Sequence, residues 1–166
     1  MSERGGTVVC PGSYDPVTKG HVDIITRAAT NFDRVVVGVV NNPVRKAKTL
    51  FTAEERAGFI TECMGHLENI EVKVFSTLLV EFAKANGAGA VLKGLRAISD
   101  FEYEFEMAQL NRKLDPEIES LYMIASPDYS FLSSTGVKEM ATFGADVSDL
   151  VPAPVAAALA ERLSGR

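Results

Sequence analysis

Residues 7–32 read TVVCPGSYDPVTKGHVDIITRAATNF. The β-branched run Thr7–Cys10 reads as a short buried strand, and Pro11 to His21 reads as a loop with two glycines, two prolines and two hydroxyls. Val22, Ile25, Ala29 and Phe32 then fall at i, i+3, i+7 and i+10, which predicts a helix over Gly20–Phe32 with one buried stripe. A strand feeding a helix through a glycine-rich loop is a βα unit. Further apolar runs at Arg34–Val40, Ile70–Phe75, Ala90–Lys93 and Ser120–Ala125 extend the pattern to five units around a mainly parallel, open sheet. Most of these runs are continuously apolar, as strands covered on both faces are; Ile70–Phe75 alternates and is expected at an edge.

Helices between the strands announce themselves by their starts. Thr52 and Glu55 have the spacing of a capping box, in which hydroxyl and carboxylate satisfy orphan amides, so a helix is expected from there to about Met64. Leu78–Asn86, stopped by Gly87, is another. Ser99 and Glu102 repeat the box ahead of FEYEFEMAQLNRKL, which Pro116 bounds; FEYEFE also alternates with period two, but the box and the helix formers after it favour a helix. Two last helices are expected over Ser134–Phe143 and Pro154–Leu163.

With 166 residues, 46% hydrophobic and 23% charged, the chain reads as one globular domain over residues 1–166. Seventeen Lys and Arg against 22 Asp and Glu give a net charge of -5, so no global field draws in nucleic acid or an anionic membrane, and an anionic ligand needs local cations. Cys10 and Cys63 form neither a disulfide framework nor a zinc spacing, no apolar run approaches a membrane span, and MSERGG is no secretion signal. A cytoplasmic protein without nucleic-acid or membrane partners is the expectation.

In open α/β sheets ligands bind beyond the carboxyl ends of the strands. Three unusual segments lie there: Pro11–His21 after the first strand, Lys93–Arg96 after the fourth, and Ser126–Thr135 after the fifth. Their glycines, hydroxyls, cations and helix starts could together hold a polyphosphate. Neither GxxxxGK[ST] nor GxGxxG occurs, which disfavours a P-loop hydrolase and a dinucleotide dehydrogenase.

TKGH, Thr18–His21, resembles the (H/T)xGH motif of the nucleotidylyltransferase superfamily, and SSTGVK, Ser133–Lys138, resembles its serine-rich second motif. From PGSYDPVTKGH through LFTAEER, KGLRAISDFEYEFEMAQLNRKL, YSFLSSTGVKE and GADVSDLVP, nearly the whole chain is similar to the bacterial phosphopantetheine adenylyltransferase family. The resemblance implies a Rossmann-like α/β fold and transfer of AMP from ATP to 4'-phosphopantetheine, with Mg2+ as cofactor, giving dephospho-CoA and pyrophosphate. It also implies a homohexamer, and it raises the question of coenzyme A as a feedback ligand. Such chemistry suits a chain with no carboxylate dyad or activated nucleophile, because a phosphate acceptor is already an anion and positioning carries the reaction.

By the same resemblance, His21 stabilises the α-phosphate in the transition state and Ser13 reaches phosphate oxygens of either substrate, with Tyr14 beside it at the ATP site. Arg45 stands where the family has a lysine for the pantetheine phosphate, with Lys46 next to it as the other candidate. Lys93 and the backbone of Leu79 are implied to contact the pantetheine substrate. Gly94, Leu95, Arg96 and Glu104 match ATP contacts, as do Tyr129, Ser130, Phe131, Leu132, Ser133, Ser134 and Thr135; Thr135 replaces a usual serine. Asp15 is open between a turn former and an outer-shell partner of magnesium, and the metal ligands are unassigned. The surplus aromatics Phe101, Tyr103 and Phe105 suggest burial against another subunit. The rival readings are a related nucleotidylyltransferase acting on nicotinate mononucleotide or glycerol phosphate, and a non-catalytic nucleotide-binding module.

Overall fold

A computed structural model describes residues 5–44 and 48–164. Five strands, β1 (Gly5–Gly12), β2 (Phe32–Val40), β3 (Ile70–Phe75), β4 (Ala90–Leu95) and β5 (Glu119–Ile124), form one sheet in the order β3-β2-β1-β4-β5. Every neighbouring pair is parallel. The helices are α1 (Lys19–Asn31), α2 (Ala53–Met64), α3 (Leu79–Ala85), α4 (Ile98–Leu114), α5 (Ser134–Thr142) and α6 (Ala153–Leu163), with a 3-10 turn at Pro127–Tyr129. The order reverses at β1, whose chain continues into β2 on one side while β4 lies on the other, so a crevice opens beyond the carboxyl end of β1.

Successive residues of β1 and β2 point to opposite faces, and each face has its own core. Val8, Cys10, Val35, Val37 and Val39 pack with Ile25 and Ala28 of α1, Ile60 and Met64 of α2, Val137 of α5 and Leu159 of α6. Val9, Val36 and Val91 pack with Val80, Phe82 and Ala83 of α3. Gly38 of β2 lies under the stacked rings of Phe75 and Phe82, whose centroids are 4.3 Å apart; a Cβ there would meet Phe82 at 2.6 Å. Among the described residues no helix is long and apolar enough to cross a membrane.

Three expectations are corrected. Ser120–Ala125 reads as a covered strand, yet β5 is the second edge of the sheet and is only half-buried along its length. An apolar run does not say whether its outer side meets a strand or another surface. The box expected at Ser99 and Glu102 is not made: α4 starts at Ile98 after Ala97, with no side-chain cap, so Ser99 is already inside the helix. Asp100 instead accepts from the backbone N–H and the guanidinium of Arg96. The boxes at Thr18 and Thr52 do form, the latter with Glu55 and the former with His21 in the acid's place. The fourth strand also runs past Lys93 to Leu95, so Gly94 and Leu95 are strand residues paired with Met123 and Ile124.

Candidate active site

The loop after β1 is shaped by its own side chains. Tyr14 adopts a left-handed φ of 49°, its hydroxyl donates to the Cys10 carbonyl at 2.9 Å, and its ring turns back over Gly12, where a Cβ would come within 2.9 Å of it. Its buried ring meets the His21 imidazole edge-on at 5.0 Å. Thr18 caps α1, and its backbone N–H donates to Nδ1 of His21 at 3.0 Å. A ring nitrogen that accepts carries no proton, so the neutral imidazole presents Nε2–H as its donor. Tyr14 and Thr18 thus fix the plane and the tautomer of the ring at the first turn of a helix.

The serine segment meets this loop, and the strand-four segment meets the serine segment and α1. Ser134 Oγ donates to the Pro16 carbonyl at 2.8 Å, and Arg96 Nη1 donates to the Leu132 carbonyl at 3.0 Å. A Cβ on Gly20 would stand 3.5 Å from Cβ of Tyr129, and one on Gly94 would press to 3.0 Å from Ile24. These glycines let α1 approach both segments. Ser133 accepts from the Gly136 amide and caps α5, so its hydroxyl has a structural task whatever else it does. Ser130 donates to the Pro127 carbonyl, Leu132 is buried, and Phe131 and Thr135 are exposed.

Lys93 and Glu104 are neighbours. Lys93 Nζ lies 2.8 Å from Glu104 Oε2, an oxygen cut off from solvent that makes no well-aligned hydrogen bond, so the contact is a charge pair rather than a directed bond. The residue matched to the pantetheine substrate and the one matched to ATP are thus held against each other. Leu79 opens α3, at the carboxyl end of edge strand β3, and packs partly buried against the second core. Arg45 and Lys46 lie outside the described residues.

Arg56 escapes a sequence-only reading, and Asp15, left open there, gains its partners only in the fold. Arg56, 1% exposed, lies on the buried face of α2 with Ala53, Ile60 and Met64; a cation on an apolar stripe was the available signal. Its guanidinium donates to the carbonyls of Ser13, Val40, Asn41, Phe51 and Thr52. Asp15 is fully buried and accepts from the Leu50 and Phe51 amides and from Lys138. Burial pushes its pKa up, but the two amides and the Lys138 ammonium outweigh that and hold the carboxyl below its usual value. Both carboxylate oxygens of Asp15 are thus engaged by donors within the chain. Among the described residues no group of three or more His, Cys, Asp or Glu could hold a metal ion, so a dedicated magnesium cage does not fit them.

A family model described as cytidylyltransferase-like matches residues 9–140. A phosphopantetheine adenylyltransferase of Heliobacterium modesticaldum is 52% identical over 154 residues, covering 93% of this chain and 90% of the relative. One of Clostridium perfringens is 45% identical over 156 residues, 94% of each chain. The crystal structure of a candidate nicotinate-nucleotide adenylyltransferase from Vibrio parahaemolyticus superposes with a TM-score of 0.67 over 96% of this chain and 94% of that one, at 15% identity, a likeness of fold alone. With relatives this similar along almost its full length, and with TKGH and SSTGVK brought together at the crevice, the chain belongs to the phosphopantetheine adenylyltransferase family of cytidylyltransferase-like nucleotidyltransferases.

Proposed function

We propose that the protein is a pantetheine-phosphate adenylyltransferase, one nucleotidylyltransferase domain over residues 1–166, acting in the cytoplasm on ATP and 4'-phosphopantetheine. The observation that carries this reading is the chain of bonds that joins the β1 loop to the serine helix through Ser134 and Pro16, and Arg96 to Leu132 just before that helix, with the Thr18 amide holding Nδ1 of His21 at the end of the same loop. A phosphate oxygen of the acceptor attacks the α-phosphorus of ATP in line. The new P–O bond forms as the bond to the bridging oxygen breaks, and pyrophosphate leaves with that electron pair.

Charge gathers on the α-phosphoryl oxygens as this happens. His21 donates through Nε2 to that charge, while Ser13, Arg96 and the amides of the serine motif position the triphosphate. Gly94, Leu95, Glu104 and the segment from Tyr129 to Thr135 form the ATP side, with Tyr14 supporting His21 from below. Arg45 or Lys46, with Lys93 and the backbone of Leu79, forms the acceptor side. Bound magnesium would supply neutralisation of the triphosphate charge, and Ser13, Arg96 and the serine motif would position the nucleotide that brings it. Coenzyme A, which contains the product, is a natural feedback ligand for the same crevice.

The exposed apolar side chains of α4, Ile98, Phe101, Phe105, Leu110 and Leu114, with Ile124 on edge β5, support burial against other copies in a homohexamer. Incubating the protein with ATP and, in turn, 4'-phosphopantetheine, nicotinate mononucleotide and glycerol phosphate, and measuring pyrophosphate, tests the reading. Release with 4'-phosphopantetheine alone is expected. Release only with another acceptor would reassign the substrate, and ATP binding without any turnover would favour a sensing module.

A further inference from the structure

The side chain of Asp15 is 0% exposed, yet it is the meeting point of segments distant in sequence. Its Oδ1 accepts from the Phe51 amide at 3.0 Å, and its Oδ2 accepts from the Leu50 amide at 2.9 Å and from Lys138 Nζ at 3.0 Å. Leu50 and Phe51 end the loop between β2 and α2, which begins at Asn41 and carries Arg45 and Lys46. Lys138 closes SSTGVK on α5. One buried carboxylate therefore touches the root of the acceptor-side loop and the helix that opens with the serine motif. Arg56 fastens the same loop at its other root, through Val40 and Asn41, and ties it to the Ser13 carbonyl.

We propose that Asp15 is a positioning residue that sets the separation between the ATP-side helix α5 and the acceptor-side loop, and through it the alignment of the two reacting phosphates. The inference rests on the reading given under Proposed function. In-line transfer between two bound anions depends on their mutual placement more than on the affinity for either, and a misplacement of about 1 Å can cost on the order of a hundredfold in rate. A buried carboxylate with three donors has one low-energy arrangement, because leaving any of its charge unmet inside the protein is costly. Lys138 contributes the charge that completes the set, and its pairing with Asp15 fixes an ammonium whose side chain is 23% exposed. Had Asp15 only a scaffolding task, its loss would lower the unfolding midpoint or weaken both substrates while leaving turnover of the saturated, folded enzyme intact.

The test compares wild type, Asp15→Asn, Lys138→Met, Lys138→Arg and the Asp15→Asn/Lys138→Met pair. Circular dichroism reports folding, calorimetry reports the binding of ATP alone and of 4'-phosphopantetheine alone, and pyrophosphate release reports kcat. Asp15→Asn keeps the shape and an accepting oxygen but loses the charge. It is expected to bind each substrate alone within about threefold of wild type while kcat falls about tenfold to a hundredfold. The double variant is expected to be no slower than the slower single variant, and Lys138→Arg is expected to recover most of the turnover that Lys138→Met loses. Folded Asp15→Asn with wild-type kcat, or single losses that multiply in the double variant, would overturn the proposal. If Asp15→Asn does not fold, wild-type kcat in Lys138→Met overturns it equally. Wild-type protein that turns over no 4'-phosphopantetheine refutes the functional reading instead, so the two failures are separable.

Discussion

On the β1–β2 side of the sheet the polar groups are closed in on themselves; on the β4–β5 side the apolar groups are left facing outward. Asp15 and Arg56, both essentially without solvent contact, find all their recorded partners inside the chain, and α1, α2, α5 and α6 cover this face with a continuous core. Only Asn111 of α4 is buried, while Ile98 is 80% and Phe105 53% exposed, and β5 is half-buried along its length. The first region can set distances without outside help. The second region leaves apolar side chains in solvent, and these are what the proposed assembly would bury.

Breaking the closed region should cost most. Arg56→Met removes the donor to five backbone carbonyls and should destabilise the fold by about 3–5 kcal/mol, read from denaturant unfolding; a loss below about 1 kcal/mol would mean that water can replace the guanidinium. Gly38→Ala pushes a methyl into the Phe75–Phe82 stack and should cost about 1–3 kcal/mol, checked by the same measurement. Thr52→Ala loses a cap that is made and should cost about 1 kcal/mol, whereas Ser99→Ala, where no cap is made, should be nearly silent. Equal costs for the two would contradict the start assigned to α4.

The open region should respond in assembly rather than in folding. Phe105→Glu is expected to change the unfolding of the isolated chain by less than about 0.5 kcal/mol while shifting the mass seen in sedimentation towards smaller species. The smallest expected effect is on acid stability. The Asp15 carboxyl has a folded pKa below its unfolded value, so its contribution is fully present above about pH 4 and is lost as pH falls through the lowered folded value. As pH is lowered from about 5 to about 2, the unfolding free energy of wild type should therefore fall more steeply than that of Asp15→Asn.

The difference between the regions also explains what could be read in the sequence. The strands and helices were legible because the periods of β1 and α1 and the box at Thr52 act over a few residues, whereas the box at Thr18, with a histidine in place of the acid, is seen only in the structure. Lys93 and Glu104 were legible as separate candidates but not as a pair, since strand β4 and helix α4 meet only in three dimensions. Asp15 was readable as a turn residue beside Pro16, but its partners stand 35, 36 and 123 residues away. At Ser99 the local signal was overridden, because Asp100 binds Arg96, which in turn reaches Leu132 on another loop. Local chemistry marked the elements; the links between them depend on contacts that no short window contains.

Pyrophosphate release from ATP and 4'-phosphopantetheine, compared between wild type and His21→Ala, addresses the central claim most directly. Turnover in wild type and a loss on the order of a hundred- to a thousandfold in the variant are predicted, because in the proposed mechanism the imidazole, whose Nδ1 accepts from the Thr18 amide, donates from Nε2 to charge that develops only in the transition state. Equal turnover in the two proteins would contradict the account.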